Sequence, residues 1–342
     1  MSKLLVFTDT DSTQINGVKL SIDNLIANLD ASMGLKIVSP DDFWHFPLPY
    51  YNEILLSMVL PKRIRKMLRE YRPRYVHIAT EGPIGFVAAK VCKELGIGYT
   101  SSFHTKFPEY IRLHSKIIPS SYVHSFLKYI HDGSDKVFIS NDSIRKYLES
   151  NAYAHIHVIP FGIDHSVFFP GPKKFFQDLP GPVLLFVGRI SIEKNVEDFL
   201  EIRTGGTKIV VGDGPQKEKF EKKYPEAKFL GFKNKEELAE IYRSADAFVL
   251  PSKTDTLGLV NLEAMACGLP VVAYDVDGPR GIVKPGKTGI LVPESQKLET
   301  GIAGALVLDS RDCIESVTGY TWQSYAEKFI KFQTPIPDSQ WI

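Results

Sequence analysis

Short apolar runs and amphipathic stretches alternate along this chain. In the first half the runs at 3 to 8, 35 to 39, 74 to 79, 97 to 102, 136 to 140 and 156 to 160 have the length and composition of buried strands. Helical spacing fills the gaps at 18 to 31, 60 to 71, 83 to 94, 120 to 132 and 141 to 150, while Tyr50 to Met58 fits neither period. Strands that are apolar nearly throughout must be covered on both faces, so the alternation predicts βαβ units around parallel sheets. The segment from Phe169-Pro170-Gly171-Pro172 to Leu179-Pro180-Gly181-Pro182 breaks the rhythm and predicts a linker at 170 to 182. Beyond it, strands are expected at 183 to 188, 207 to 212, 227 to 230, 246 to 250, 270 to 274 and 289 to 292. Helices are expected at 215 to 223, 235 to 243, 258 to 267 and 294 to 308, with a terminal one at 322 to 332.

The expected architecture is therefore α/β, with two Rossmann-like domains at 1–170 and 171–320 and a terminal helix and tail at 321–342. Ligands of open parallel sheets sit beyond the C-terminal ends of the strands. Two such edges facing each other would form one central cleft.

Composition narrows the function. The 342 residues carry a formal charge of only +1, which supplies no global argument for nucleic acid. The apolar run Lys3 to Phe7 stops at Thr8 and Asp9 and reads as a strand, not a signal peptide. Nowhere do about 18 apolar residues occur together, so no membrane span is expected. Cys92, Cys267 and Cys313 lack metal spacing and suit the core of a cytoplasmic protein. All nine histidines lie before residue 166, so a histidine-dependent step would belong to the first domain. Nothing in the composition specifies an oligomeric state.

The candidate chemistry sits after predicted strands. Gly188-Arg189-Ile190-Ser191-Ile192-Glu193-Lys194-Asn195 brings Arg189 and Lys194 to one strand-to-helix turn, where two cations suit a diphosphate; a pair of solvated surface cations is the alternative. In Pro251 to Pro270, Asp255 lies just outside a helix that opens at Gly258 and Leu259, and Glu263 lies about a turn and a half inside it. Backbone amides there attract phosphate, and sugar hydroxyls would satisfy Glu263 among its apolar neighbours. A helix-capping acid and a surface glutamate would explain the same residues. Gly212-Asp213-Gly214-Pro215 could shape a nucleotide pocket, and Gly17, in Asn16-Gly17-Val18, could admit a phosphate or sugar against the backbone. His104 follows Ser101-Ser102-Phe103 at the ligand-bearing edge, placed either to meet a substrate hydroxyl or to satisfy buried backbone. The complete Gly-x-Gly-x-x-Gly fingerprint is absent after both first strands, against a dehydrogenase.

A basic stretch, Lys62 to Arg74, holds seven cations and one acid. Residues 106 to 130 add Lys106, Arg112, Lys116 and Lys128 beside Phe107, Tyr110, Ile117, Ile118, Tyr122, Phe126 and Tyr129. Cations beside exposed apolar rings favour an anionic membrane surface, although Ile64, Met67 and Leu68 could instead face the core.

Together these segments resemble the retaining enzymes of glycosyltransferase family 4. The resemblance rests on Asn16-Gly17-Val18, Phe103-His104-Thr105, Pro160 to Asp164, Gly188-Arg189 with Lys194-Asn195, Gly212 to Pro215, Gly231-Phe232 and Ser252 to Pro270. It implies a GT-B fold, with the first domain binding an acceptor, the second a UDP- or GDP-sugar, and the terminal helix crossing back to the first. It implies Arg189 and Lys194 on the donor diphosphate, Gly17 near the distal phosphate, Gly258 and Leu259 as backbone contacts, and Glu263 on the ribose. Gly214 and Phe232 would border the nucleotide, and His104 would touch the donor sugar. Where the family usually has Glu-x7-Glu this chain has Asp255 and Glu263, so the contact with the sugar would differ by one methylene.

No tightly bound cofactor and no metal are expected, because the cations would take a divalent ion's place. The form around Thr254-Asp255-Thr256 looks most like a bacterial branch of mannosyl-, glucosyl- and sulfoquinovosyl-type transferases. With the basic and aromatic segments, that implies a lipid acceptor such as diacylglycerol and peripheral attachment to the inner face of the cytoplasmic membrane. A transferase acting on a soluble or polysaccharide glycan, a nucleotide-sugar epimerase and a non-catalytic nucleotide-sugar-binding protein are the alternatives.

Overall fold

The computed structural model describes residues 2–14, 16–48, 51–114, 119–203 and 205–341. Lys116, Ile117 and Ile118 of the expected membrane segment lie outside the described residues, as do Tyr50 and the side chain of Tyr110. The chain forms two compact units. One comprises Met1–Pro108, Lys116–Phe161 and Trp322–Ile342; the other comprises Glu109–Ser115 and Gly162–Thr321.

The first unit is built on β1 (Lys3–Phe7), α1 (Gly17–Asn28), β2 (Gly34–Val38), β3 (His45–Leu48), β4 (Tyr51–Ser57), α2 (Pro61–Tyr71) and β5 (Tyr75–Ile78). It continues through α3 (Pro83–Leu95), β6 (Thr100–Ser102), α4 (Phe107–His114), α5 (Ser120–His131), β7 (Lys136–Ile139), α6 (Ser143–Ser150) and β8 (Ile156–Val158). Six of its strands form a parallel sheet ordered β2-β1-β5-β6-β7-β8, and β3 and β4 pair antiparallel as a separate hairpin. That hairpin is what the ambiguous 50 to 58 stretch becomes. Its periodicity is unreadable in sequence because apolar side chains occur on both of its faces.

The core of this unit collects Leu5 and Phe7 from β1, Val76 and Ile78 from β5, Ile64 and Leu68 from α2, and Ile84 and Ala88 from α3. Burying each large aliphatic or aromatic side chain contributes ~1.5–3 kcal/mol. Asp9, just past β1, starts α3: it accepts from Ile84 N at 2.8 Å, Gly85 N at 3.3 Å and Thr80 Oγ1 at 2.8 Å. Burial nevertheless pushes its carboxyl up to about 6.

The second unit holds β9 (Val183–Val187), α7 (Val196–Leu200), β10 (Thr207–Val211), α8 (Lys217–Lys223), β11 (Lys228–Phe229), α9 (Lys235–Ser244) and β12 (Ala247–Leu250). Then follow α10 (Leu259–Ala266), β13 (Val271–Tyr274), α11 (Asp277–Arg280), β14 (Gly289–Val292), α12 (Glu299–Ala305) and α13 (Ser310–Val317). Its sheet is parallel, in the order β11-β10-β9-β12-β13-β14. Residues of β9, β12 and β13 are buried throughout, as a sheet covered on both faces requires. Strand order reverses at β9, whose neighbours β10 and β12 lead away in opposite directions. A crevice opens at such a reversal.

Three expectations change. The helix predicted at 294 to 308 is shorter, α12 at 299 to 305, and a second helix that was not expected, α13, follows at 310 to 317, capped by Asp309, which accepts from Arg311 N at 2.9 Å. Short helices α4 and α11, absent from the pattern reading, lie at 107 to 114 and 277 to 280. The predicted linker is not a free connection: Lys174 N donates to Ser244 Oγ at 3.1 Å and Lys173 pairs with Asp246, so 170 to 182 is tied to α9 and β12, and the second unit begins at Gly162. The last helix, α14 (Trp322–Lys331), and the tail return to the first unit. Ile336 N donates to Arg74 O at 2.8 Å, Gln340 Nε2 to Leu95 O at 2.7 Å and Trp341 Nε1 to Pro73 O at 3.2 Å.

Candidate active site

In the second unit the residues predicted after separate strands converge at the C-terminal edge of the sheet, at its point of reversal. β9 delivers Arg189, which is half-buried, and then a single 3-10 turn at Ile192–Lys194. Asn195 follows with φ 51°, a left-handed position that asparagine tolerates, and α7 starts from it. The expected helix after Gly188 is thus displaced by one turn, and Lys194 sits on the turn itself.

Beyond β12, the loop at 251 to 258 is fastened to this turn. Asn195 Nδ2 donates to Pro251 O at 3.1 Å and Ser252 Oγ donates to Glu193 O at 3.2 Å. The fastening sets Lys194 Nζ 2.5 Å from Asp255 Oδ1. The other oxygen, Oδ2, is buried with no hydrogen-bond partner among the described residues. An ionised carboxylate holding one cation and one open acceptor oxygen suits a ligand that brings hydroxyl donors.

α10 opens at Gly258, whose φ of 74° belongs to the left-handed region. A Cβ there would meet Asn261 Nδ2 at 2.7 Å, so both conformation and space demand glycine. Leu259 is the first helical residue, and its amide and the next point free of intrahelical partners toward the same edge. Glu263, about a turn and a half into α10, is part-buried, and Tyr242 from α9 donates to its Oε2 at 3.2 Å. Burial pushes the Glu263 carboxyl up to about 7, against the lowering effects of Tyr242 and Lys235. Glu263 was expected to need a ligand to satisfy it. Tyr242 supplies part of that need from within the fold, and nothing in the local sequence around Glu263 points to a tyrosine 21 residues earlier.

β10 contributes Gly212-Asp213-Gly214. A Cβ on Gly214 would lie 2.5 Å from Ile190 O and 2.7 Å from Ile190 N, which lets the β9 and β10 loops lie against each other, with Ile190 N donating to Asp213 O at 2.8 Å. Gly231 N-terminal to Phe232 accepts from Gly212 N at 2.9 Å, and Phe232 projects 61% exposed beside this edge. Arg189, Lys194, Gly214, Phe232, Asp255, Gly258, Leu259 and Glu263 thus all lie on the C-terminal loops of one sheet or the helix that follows. Among the described residues no group of three His, Cys, Asp or Glu is placed to hold a metal.

Gly17 and His104 belong to the first unit. Gly17 is the first residue of α1, where the Asn16 side chain accepts from Lys19 N at 2.8 Å. His104 follows β6, with its ring 5.6 Å from that of Phe161. Burial, reinforced by His131, lowers its imidazole to about 4. A hollow of about 10 Å³, the size of one water, lies among Ser102, His104, Phe161 and Tyr325. Beneath this edge the polar side chains are locked. His131 Nε2 lies 3.3 Å from Glu81 Oε1 and its Nδ1 2.8 Å from Ser101 Oγ. His77 is held between Thr100 Oγ1 at 2.8 Å and Ser102 Oγ at 2.9 Å. Because Thr100 gives its own proton to Gln333 Oε1 at 2.7 Å, His77 Nδ1 is the donor and Nε2 the acceptor, the neutral tautomer.

Residues 24–167 match the family described as Glycosyltransferase Family 4, and residues 172–312 match Glycosyl transferases group 1. The chain belongs to glycosyltransferase family 4. Among its relatives, sulfoquinovosyl transferase SQD2 of Arabidopsis thaliana is 30% identical over 81% of this chain. The chain spans only 61% of that relative's length. A GDP-mannose-dependent alpha-mannosyltransferase of Mycobacterium tuberculosis is 26% identical over 78% of this chain and 74% of its own. Alpha-monoglucosyldiacylglycerol synthase of Acholeplasma laidlawii is 25% identical over 86% and 85%. Sucrose-phosphate synthase from Thermosynechococcus elongatus shares the fold, with a TM-score of 0.76 at 21% identity over 97% of this chain and 98% of that one. Two parallel α/β sheets and this likeness are those of the GT-B glycosyltransferases. The sequence of this family 4 member departs from Glu-x7-Glu at Asp255, and it is Asp255 that the fold ties to Lys194.

Proposed function

We propose that this chain is a retaining glycosyltransferase that moves a hexosyl group from a UDP- or GDP-sugar to a lipid acceptor such as diacylglycerol. The observation that carries the donor half of the reading is the Lys194–Asp255 pair with its open, buried Asp255 oxygen at the reversal of the second sheet. Arg189, Lys194 and the amides at Gly258 and Leu259 take the diphosphate, Glu263 takes the ribose hydroxyls, and Gly214 and Phe232 border the nucleotide. Asp255 Oδ2 accepts from a hydroxyl of the sugar. Gly17 and His104 are the first unit's candidates for substrate contact, His104 acting as a neutral hydrogen-bonding group.

In the reaction the bond from the anomeric carbon to the diphosphate oxygen breaks and a bond to the acceptor oxygen forms on the same face. The acceptor's proton passes to the departing diphosphate. Cations and amides fixed on that leaving group are worth more as its charge grows, which lowers the barrier. These same cations do the work of a divalent ion, so the reaction is assigned no metal and no tightly bound cofactor.

The lipid half draws on the diacylglycerol named for one relative and on the basic surface of α2. Attachment to the inner face of the cytoplasmic membrane belongs to this reading; no described helix is long and apolar enough to cross a membrane. The test is mass spectrometry of products after incubation with diacylglycerol vesicles and each common UDP- or GDP-hexose in turn. A glycosylated lipid is the expected result. Donor binding with transfer only to a soluble glycan would overturn the acceptor assignment, and donor binding without any transfer would reduce the chain to a binding protein.

A further inference from the structure

We infer that the hairpin of β3 and β4, together with the N-terminal half of α2, is the surface that docks this protein onto an anionic phospholipid bilayer. The inference rests on the lipid-acceptor reading and names how the membrane is engaged.

The hairpin pairs with no other strand, so one of its faces has to be covered by the unit and the other is left outward. Inward go Ser57, which is buried, and Val59, which packs against the core. Outward go Phe46 on β3, Trp44 just before it, and Met58 just past β4, whose N donates to Trp44 O at 2.8 Å. The exposures are 67% for Trp44, 41% for Phe46 and 61% for Met58, and Leu60, two residues past Met58, is 69% exposed. Trp44 and Phe46 touch each other, their rings 5.7 Å apart. An outward strand face facing water is normally polar. Three large apolar side chains there, with exposed Leu60 just beyond them, are the mark of an interaction site.

The chemistry beside the patch selects the partner. Leu60 is the N-cap that precedes α2, and the first turns of α2 carry Lys62, Arg63 and Lys66, with Arg69 a turn further on, all exposed. Ile64 and Leu68 of the same helix are fully buried, which holds the cationic face outward. Arg63 is additionally anchored, its guanidinium 4.9 Å above the Phe43 ring that immediately precedes Trp44. An apolar wedge continuous with a row of cations matches a surface whose interior is hydrocarbon and whose headgroups are negative. A tryptophan and neighbouring apolar side chains insert while the cations stay among the headgroups.

The aromatic segment on α5 is less suited. Its Phe126 and Tyr129 rings pack on Phe86 at 5.1 and 4.9 Å, and Lys93 sits 3.9 Å above Tyr129, so these rings already have partners inside the fold. Lys106, expected among the cations of that segment, is buried over the Tyr147 ring at 4.6 Å.

The experiment is vesicle co-sedimentation of the full chain, with phosphatidylcholine alone and with roughly a third phosphatidylglycerol, alongside tryptophan emission. Trp44 is the exposed one of three tryptophans, since Trp322 is buried and Trp341 packs against the core. Binding is expected to anionic vesicles only, with a blue shift and quenching by brominated acyl chains that the Trp44→Phe variant loses while still binding. Met58→Ser and Leu60→Ser are each expected to weaken partitioning about tenfold. The triple change Lys62→Gln, Lys66→Gln and Arg69→Gln should weaken it about a hundredfold. All these side chains are exposed, so unchanged circular dichroism and melting confirm the fold.

Anionic-vesicle binding that survives the Met58 and Leu60 changes, with Trp44 emission unmoved, overturns the wedge and leaves the lipid-acceptor reading standing. Loss of binding on Tyr122→Ser or Phe126→Ser instead moves the surface to α5 and overturns it equally. No binding to any vesicle, with glycolipid still formed in detergent micelles, overturns the bilayer as the partner of this surface. No glycolipid under any condition is the separate failure of the acceptor reading.

Discussion

The C-terminal edges of the two sheets handle polar groups in opposite ways. In the first unit they are paired off inside the fold: His131 between Glu81 and Ser101, His77 between Thr100 and Ser102, Asp9 on the start of α3. In the second unit the pairing is incomplete: among the described residues Asp255 Oδ2 and Asn261 Oδ1 are buried without a partner, and Glu263 has a single tyrosine. Buried polar groups without partners cost free energy that a ligand can recover. The first edge carries a neutral His104 above internally paired polar groups, and the second is the edge to which the proposed donor site belongs.

The largest effect that would test this contrast comes from Lys194→Met. It removes the cation facing the leaving group and strands Asp255, and kcat/KM should fall by about 10²–10³-fold. A fall under about threefold in steady-state kinetics would return Lys194 to a surface ion pair.

Next comes Glu263→Gln, where stability and binding should separate. The carboxyl titrates near 7 in the folded protein against its ordinary 4.5, so the folded state holds the extra proton between those values. Its contribution to stability is complete below about pH 4.5 and is lost as pH rises through 7. The variant, which has no charge to bury, should be more stable than the parent at pH 8, by up to ~2–3 kcal/mol, and equal to it at pH 4. Donor KM should rise about tenfold at the same time. Denaturant melts across pH check the first statement and kinetics the second; a variant destabilised at pH 8 would mean that Glu263 serves the fold.

Gly258→Ala should cost ~1–2 kcal/mol, from its left-handed backbone and the contact with Asn261, visible as a lowered melting temperature together with weaker nucleotide binding by calorimetry. A smaller effect is expected at the first edge. With its imidazole held at about 4, His104 stays neutral throughout the physiological range, so the rate should not fall as pH drops from 8 to 6 on its account. A limb in the pH–rate profile near 6.5 that His104→Gln removes would contradict the closed, neutral edge. The smallest expected change is with chelator: EDTA should alter the rate less than about twofold, because the cations already occupy the place of a divalent ion.

Most strands and helices were legible because a buried parallel strand and an amphipathic helix impose their own periods on the sequence. The exceptions have local causes. The β3–β4 hairpin carries apolar residues outward as well as inward, which erases the period-two signal. The segment 170 to 182 has a linker's composition and yet is held through Lys174 and Lys173 by Ser244 and Asp246, far along the chain. At the site, motif spacing marked Arg189, Lys194, Asp255 and Glu263, since each lies just beyond a strand end or in the helix that follows. Tyr242, which holds Glu263, carries no such mark, and although Asn195 and Ser252 fall inside the motifs, nothing in the sequence says that they fasten the two loops together.

The sequence by itself therefore determined the α/β class, the two parallel sheets, family 4 membership and which loops carry the charged groups, because all of these are written in local periods and short spacings. Only the tertiary structure decided that Lys194 pairs with Asp255, that Tyr242 reaches Glu263, that Lys106 is buried, and that Trp44, Phe46, Met58 and Leu60 are exposed. These are meetings of residues brought together by chain packing, and a contact between distant positions leaves no period along the chain.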